Sequence, residues 1–168
     1  MTKTTISLLV ASALAAGCAA MGGTSGPKAA ATLAPTKGSS AGGTVSFEQR
    51  GSKVLVSGTV SGLKPNAEHG FHVHEKGDCS SGDGMSAGGH FNPAGIGHGH
   101  HAGDMPNVRA DAYGTATFSF ETAGITIGAG ATDIVGRGLI VHRDPDDYKS
   151  QPAGNAGPRL ACAVIAKG

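Results

Sequence analysis

The segment Gly70-Phe71-His72-Val73-His74-Glu75 alternates apolar side chains with histidines and decides how the rest of the chain is interpreted. Successive side chains of a β-strand point to opposite faces of its sheet. We therefore predict a strand in which His72 and His74 share one face. Phe71 and Val73 then enter the core from the other face.

Short alternating runs of this kind recur along the chain between glycine-rich connections. They lie at residues 45–48, 54–57, 107–112, 115–121, 134–142 and 160–165. The segments Arg50-Gly51-Ser52 and Tyr113-Gly114 have the residue types of hairpin turns. Helical periodicity is sustained nowhere, so the pattern predicts an all-β antiparallel sandwich or barrel.

Two long stretches, residues 76–106 and 143–158, lack the strand pattern. Loops of this length without secondary structure of their own are usually functional or disordered. The first stretch contains, among others, Cys79, His90, His98, His101 and Asp104. We expect metal binding and a disulfide to give this stretch the order that a hydrophobic core cannot.

Six of the eight histidines and one aspartate form a spaced set of metal-ligand types. The set is His72, His74, His90, His98, His101, His142 and Asp104. Imidazoles bind copper and zinc, and a carboxylate among imidazoles suits zinc. The set exceeds what one tetrahedral ion takes, so it predicts a binuclear copper and zinc site. We expect His69 in a surface loop and His100 in solvent.

The N-terminus predicts export from the cytoplasm. Lys3 precedes an apolar run at residues 6–16 that ends in small residues, as in a secretory signal peptide, here residues 1–17. The run is too short to span a bilayer. The sequence LAAGC resembles a bacterial lipoprotein box, so we expect a periplasmic protein anchored to the membrane through lipidated Cys18. The alternative is cleavage nearby and release as a soluble protein.

Residues 18–43 are rich in Ala, Gly, Ser, Thr and Pro. This composition is typical of a flexible tether, because it offers little apolar surface for a core. We therefore predict that the folded domain comprises residues 44–168. Within it, ten Lys and Arg residues stand against twelve Asp and Glu residues, a net charge of −2 with neutral histidine. Nucleic-acid binding requires a basic face, so no nucleic-acid partner is expected.

Two cysteines, Cys79 and Cys162, remain once Cys18 is set aside. An even pair in an oxidising compartment predicts one disulfide. A disulfide between them would close a loop of more than about eighty residues, and in the chain-entropy model it would add about 4 kcal/mol to the free energy of unfolding. The alternatives are two free thiols, or one thiol that serves copper.

Five segments resemble the signature sequences of the copper–zinc superoxide dismutases, particularly the exported bacterial type, and occur in that family's order. They are GFHVHEKGDC (70–79), GGHFNP (88–93), HAGDMPN (101–107), GRGLIVH (136–142) and GNAGPRLACAVI (154–165). The resemblance covers residues 44–168. It implies a Greek-key β-sandwich or flattened barrel, immunoglobulin-like, with two long functional loops. It also implies an enzyme that converts superoxide to oxygen and hydrogen peroxide by Cu(II)/Cu(I) cycling and protects the cell envelope.

Carried over residue by residue, the resemblance assigns the ligands of both ions. Copper would take His72, His74, His90 and His142, and zinc would take His90, His98, His101 and Asp104. His90 would bridge the two ions and carry a catalytic proton. Asp104 capping a turn is the alternative for that residue.

Two further residues match family positions outside the ligand set. Asp146 would accept hydrogen bonds from one copper and one zinc histidine. Arg159 would attract a small anion beside copper through its fixed, charged fork. A solvated acidic loop is the alternative for Asp146, and a strand-edge charge is the alternative for Arg159.

One departure from the family concerns the zinc loop. Only Gly99 and His100 separate His98 from His101, whereas many family members have a longer insertion there. We expect this shortening to affect zinc affinity. A non-enzymatic periplasmic copper and zinc binding protein on the same scaffold is the rival function. The complete ligand set together with Arg159 favours the enzyme. The sequence leaves monomer and homodimer equally open.

Overall fold

The computed structural model describes Met1 and residues 26–168. The strands are β1 (Lys28–Pro35), β2 (Gly42–Arg50), β3 (Lys53–Ser61), β4 (Glu68–His69), β5 (Phe71–His74), β6 (Val108–Arg109), β7 (Ala116–Thr122), β8 (Gly138–His142), β9 (Arg159–Val164) and β10 (Ala166–Lys167). A 3-10 turn at Met85–Ala87 is the only helical element in this part of the chain. Among the described residues, no helix is long and apolar enough to cross a membrane.

The strands form one large antiparallel sheet in the order β5-β8-β9-β1-β2-β3-β7, with β10 paired to β1, and a small sheet of β4 and β6. Phe71 on β5 and Phe118 on β7 lie at opposite ends of this order, yet their ring centroids are 5.2 Å apart. The sheet therefore curls until its ends approach across the core. The expected all-β antiparallel fold is confirmed.

The core lies on the concave side of this curled sheet. Alternate residues of each strand enter it, among them Val45 and Phe47 of β2 and Leu139 and Val141 of β8. Complete burial of side chains of this size stabilises the fold by about 1.5–3 kcal/mol each. Strand β5 is buried on both faces, because the core covers one face and the long loops cover the other.

The predicted tether at residues 18–43 is wrong from Lys28 onward. Residues 28–35 form β1, which pairs with β2 along one side and reaches β9 at Ala34 and Pro35 on the other. Ala29, Ala31 and Leu33 alternate into the core. A segment poor in large apolar residues can therefore still supply a central strand, because its alternate side chains are buried. The predicted signal peptide, Cys18 and residues 18–25 lie outside the described residues.

Two of the predicted strands are shorter than expected. The run at residues 107–112 pairs only at Val108–Arg109, against β4. In the run at residues 134–142, Ile134 is buried but β8 begins at Gly138. The hairpin at residues 50–53 is confirmed, since Arg50 pairs with Lys53 across a two-residue turn.

Backbone hydrogen bonds hold both long loops against β5. In the first loop, Val73 N donates to Gly103 O at 3.0 Å and Phe91 N donates to Val73 O at 2.8 Å. The second loop is joined at the start of the strand, where Gly70 N donates to Asp144 O at 2.9 Å. The two loops therefore meet over the face of β5 that carries His72 and His74.

Candidate metal centre

Two neighbouring strands of the sheet place three of the predicted ligands. His72 and His74 lie on β5, and His142 ends β8, whose residues pair with β5 in antiparallel register. Their exposed fractions are 0%, 1% and 4%. The alternation that predicted His72 and His74 on one face is therefore realised, with Phe71 and Val73 in the core.

The first long loop places the other four ligand-type residues. The backbone of His90 forms an isolated antiparallel β-bridge with that of His74, and the backbone of Asp104 forms one with that of His72. Both loop residues therefore lie along the edge of β5. His98 and His101 lie between them on the loop. His98 is 5% exposed and His90 7%.

The seven predicted residues gather into two clusters that share one histidine. The ligand atoms within each cluster lie within 4.8 Å of one another. The first cluster is His72, His74, His90 and His142, and the second is His90, His98, His101 and Asp104. The sequence-based partition of the set and the geometric one coincide.

Hydrogen bonds fix which nitrogen of each strand histidine faces the first cluster. His74 Nδ1 donates to Gly88 O at 2.9 Å, and His142 Nδ1 donates to Gly157 O at 3.1 Å. Their Nε2 atoms are thus left as lone-pair donors and lie 3.4 Å apart. His72 is reversed, because its Nε2 donates to Asp146 Oδ2 at 2.7 Å and leaves Nδ1 without a hydrogen-bond partner.

In the second cluster Asp104 lies among three imidazoles. Its Oδ1 is 2.7 Å from His90 Nδ1 and 3.3 Å from His101 Nδ1, and its Oδ2 is 3.4 Å from His98 Nδ1. Backbone N–H groups of Gly99 and His101 donate to Oδ2 at 2.8 and 3.0 Å. Three nitrogens and one carboxylate converging on one point form the donor set of a closed tetrahedral zinc site.

Burial keeps the strand imidazoles neutral, which is the form that binds a metal. It lowers the pKa of His142 to about 3, with the charge of His72 acting in the same direction. Burial and then the charge of Arg159 hold the pKa of His74 well below its usual value. Burial also lowers the pKa of His72, although the hydrogen bond to Asp146 opposes it. The lone pairs are therefore available at neutral pH.

Both carboxylates of the site remain ionised. Burial works to raise the pKa of Asp104, but hydrogen bonds from His90 and from the backbone of His101 outweigh it and lower that pKa to about 2. For Asp146, burial is likewise outweighed by hydrogen bonds from His72 and His98, and its pKa lies well below the usual range.

Asp146 joins the two clusters from outside them. It is 3% exposed, and its Oδ2 and Oδ1 accept hydrogen bonds from His72 at 2.7 Å and from His98 at 2.8 Å. This burial excludes the solvated acidic loop considered from the sequence. Asn107, which we did not single out from the sequence, pairs with the Asp146 backbone through two bonds of 2.9 Å.

Arg159 lies beside the first cluster. It is the register partner of His142 across β8 and β9, and its guanidinium donates to Gly84 O at 2.7 Å and to Gly88 O at 2.6 Å. The carbonyl of Gly88 also accepts from His74. Arg159 is half-buried, and these two hydrogen bonds fix its positively charged guanidinium next to the histidines. A charge that only protected an exposed strand edge would not be held in this way.

A disulfide joins Cys79 to Cys162 across 83 positions, so the predicted bridge is confirmed and the free-thiol alternatives are excluded. Cys162 lies on β9 and Cys79 in the first loop. The disulfide therefore attaches the loop that carries Gly84 and Gly88 to the sheet. The carbonyl oxygens of these two glycines accept the hydrogen bonds from Arg159.

The expectation for His69 is wrong, and that for His100 is confirmed. His69 lies on β4 with 0% exposure, and its Nδ1 donates to His142 O at 2.9 Å. A single histidine in a polar sequence context carries no local signal of this burial, because the carbonyl that satisfies it comes from a distant strand. His100 is exposed.

Comparisons with known proteins agree with this geometry. A family model described as "Copper/zinc superoxide dismutase (SODC)" matches residues 41–165. The superoxide dismutase [Cu-Zn] of Paramecium bursaria Chlorella virus 1 is 47% identical over 135 residues, which are 73% of this chain and 71% of the viral protein.

Two further relatives cover more of the chain. Superoxide dismutase [Cu-Zn] 2 of Aquifex aeolicus (strain VF5) is 43% identical over 148 residues, 82% of this chain and 86% of that protein. The crystal structure of the clock protein EA4 superposes with a TM-score of 0.75 at 39% identity and covers 85% of this chain and 96% of that one.

The family match spans most of the chain, and the two clusters supply the donors that copper and zinc require. These findings favour the enzyme over the metal-binding rival. The chain belongs to the copper/zinc superoxide dismutase family and is an enzyme that converts superoxide to oxygen and hydrogen peroxide.

Proposed function

We propose that the first cluster holds copper, that the second holds zinc, and that His90 binds both ions. The shared position of His90 carries this proposal. Its Nδ1 faces Asp104 in the second cluster, and its buried Nε2 has no hydrogen-bond partner. One imidazole with a nitrogen toward each cluster is what a bridge between two ions requires.

The residues present fit the two ions. Buried nitrogens without hydrogen-bond partners are costly in a folded protein, yet the described residues contain five. One is His69 Nε2, outside both clusters, and the other four are His72 Nδ1, His90 Nε2, His98 Nδ1 and His101 Nδ1. All four belong to the proposed ligand sets and point into them. A metal ion at each cluster would satisfy these atoms together.

Copper, when bound, supplies the one-electron redox chemistry that no side chain in the site provides. Arg159 contributes a fixed positive charge and free hydrogen-bonding capacity beside the histidines, which attract and orient superoxide. Whenever it is not bound to copper, Nε2 of His90 is the atom at which the chain can hold a proton and release it to the product. Asp146 keeps the rings of His72 and His98 oriented throughout.

Alanine variants of three histidines test the ligand assignment. His142→Ala should lose copper and dismutase activity but keep zinc, whereas His101→Ala should lose zinc. The exposed neighbour His100 provides the matched control, and His100→Ala should keep both metals. Copper and zinc per chain are measured by mass spectrometry and activity by superoxide consumption. Zinc loss in His100→Ala with retention in His101→Ala would overturn the assignment.

The second part of the proposal is an exported enzyme, anchored through lipidated Cys18, that removes superoxide in the cell envelope. Its support is the signal-like segment at residues 1–17 and the LAAGC sequence. Because β1 begins at Lys28, only residues 19–27 link Cys18 to the domain, and these reach about 30 Å when extended. The domain would therefore stay close to the membrane surface.

Fractionation of cells expressing the full chain tests this anchor. The wild-type protein should partition with membranes and into a detergent phase, and Cys18→Ser should move to the soluble fraction. Thr24→Ser, a small change in the same region, is the control and should stay with the membranes. A Cys18→Ser protein that remains membrane-bound would contradict the proposal.

A further inference from the structure

The side chain of Gln151, in the second long loop, forms a two-point contact with the backbone of His98. The N–H of His98 donates to Gln151 Oε1 at 2.9 Å, and Gln151 Nε2 donates to His98 O at 3.4 Å. Nε2 also donates to Lys149 O at 3.4 Å within its own loop. Glutamine suits this contact because one planar amide carries both a donor and an acceptor.

The backbone of His98 has no other support of this kind. Within residues 26–168, no backbone group bonds to its N–H or C=O. It is flanked by Gly97 and Gly99, and Gly99 has a φ of 91°. Glycine on both sides leaves the local chain with wide conformational freedom. Within the same loop, the neighbouring Gly99 N–H is held by Asp104 Oδ2 at 2.8 Å, but the N–H and C=O of His98 itself depend on contacts from outside the loop.

The second loop supplies those contacts at both ends of the residue. Gln151 holds the backbone, and Asp146 Oδ1 accepts a hydrogen bond from the ring Nε2 at 2.8 Å. With the backbone and the far ring nitrogen both fixed, the side-chain torsions of His98 have little freedom. The remaining ring nitrogen, Nδ1, is directed at Asp104 Oδ2, 3.4 Å away.

We propose that Gln151 is a positioning residue for the zinc cluster, and that it compensates for the trimmed, glycine-flanked loop that carries His98. This inference rests on the proposed assignment of zinc to His90, His98, His101 and Asp104. Groups that orient metal ligands typically contribute about 10–100-fold to metal affinity. Gln151 is exposed and water competes for its bonds, so we expect the low end, about tenfold.

Gln151→Met tests the proposal, because methionine keeps the side-chain length and removes all three hydrogen bonds of the amide. Zinc dissociation is measured by chelator competition on the fully metal-loaded protein, and the visible spectrum of Co²⁺ bound in place of zinc reports ligand geometry. Gln151→Met should release zinc about tenfold more readily and alter the Co²⁺ bands. Gln151→Glu keeps the acceptor for the His98 N–H but loses the donor to His98 O, so its zinc affinity and Co²⁺ bands should lie between those of the wild type and of Gln151→Met.

Gln49, on β2, provides a matched control that contacts none of the proposed ligands. Its amide also joins loop backbone, bonding to Gly51 O at 2.9 Å, to Lys53 O at 3.1 Å and to the Ile127 N–H at 3.1 Å. Gln49→Met should lower the melting temperature without changing zinc affinity or the Co²⁺ bands.

The outcomes separate this inference from the assignment beneath it. If wild-type protein binds zinc at the cluster and Gln151→Met matches it in both zinc affinity and Co²⁺ spectrum, the positioning role is refuted while the zinc assignment stands. If Gln49→Met weakens zinc equally, the effect is general destabilisation and the inference also fails. If His101→Ala leaves zinc binding unchanged, the zinc assignment itself is wrong.

Discussion

The two metal clusters are built from different parts of the fold. Three of the four residues in the first cluster lie on the adjacent strands β5 and β8, where main-chain hydrogen bonds fix their positions. All four residues of the second cluster lie on one loop, which backbone hydrogen bonds to β5 and side-chain contacts from the neighbouring loop hold in place. Strand scaffolds place ligands more rigidly than loops do.

This difference predicts how each cluster responds to damage. The first cluster should persist as long as the sheet is folded, because its positions belong to the sheet. The second should depend on individual side-chain contacts that can be lost while the sheet remains intact. Changes outside the ligand sets can test the two expectations separately.

The largest expected effect on stability comes from removing the disulfide. In the variant with both Cys79→Ser and Cys162→Ser, the free energy of unfolding should fall by about 4 kcal/mol, because the bridge closes a loop with a sequence separation of 83. Chemical denaturation measures this loss. Zinc affinity at low temperature should change little, since neither cysteine contacts the second cluster. Zinc loss well before global unfolding would contradict the separation of the two regions.

Asp146→Asn should produce the next largest effect, and it should act on both clusters. An amide can accept a hydrogen bond through only one of its two end atoms, so either His72 or His98 loses its anchor. We expect copper or zinc affinity to fall by about 10–100-fold, measured by competition with chelators.

The neighbouring carboxylate Asp147 provides the control. It is exposed, and its hydrogen bonds remain within its own loop, to Ser150 and Asn155. Asp147→Asn should leave both metal affinities at their wild-type values. Equal losses in the two variants would show that loop charge, and not the orientation of histidines, controls binding.

Gly154→Ala tests the packing around the same carboxylate. Gly154 has a φ of 62°, and a Cβ at this position would overlap Asp146 Oδ1 and crowd His98 Nε2. Gly51, with a φ of 59° and nothing within 4 Å of its Cβ position, is the control for backbone strain alone. Both variants should lose about 1–2 kcal/mol of stability from the positive φ. Only Gly154→Ala should also weaken zinc; if Gly51→Ala weakens it equally, the packing argument fails.

The first cluster was the more predictable region from sequence. Alternation alone placed His72 and His74 on one face, because a strand imposes its period on every side chain it carries. Division of the remaining histidines between two ions rested on the family resemblance. No local pattern in residues 90–104 identifies which ring nitrogen faces which cluster.

Features that depend on distant partners escaped the sequence analysis. Strand β1 was assigned to a tether, since its alternating alanines carry too little apolar surface to register as a core strand. His69 is held by a hydrogen bond to a residue 73 positions away in the sequence, and Gln151 by one to a residue 53 positions away. Such contacts follow from the folded topology and leave no signal in the neighbouring residues.

Anomalous scattering at the copper and zinc absorption edges, from crystals of the oxidised protein loaded with Cu(II) and zinc, tests most directly the central claim that His90 serves both clusters. The account predicts a copper peak on the Nε2 side of His90, among His72, His74 and His142. It predicts a separate zinc peak on the Nδ1 side, among His98, His101 and Asp104. Both metals at a single position, or a His90 that contacts only one of them, would contradict it.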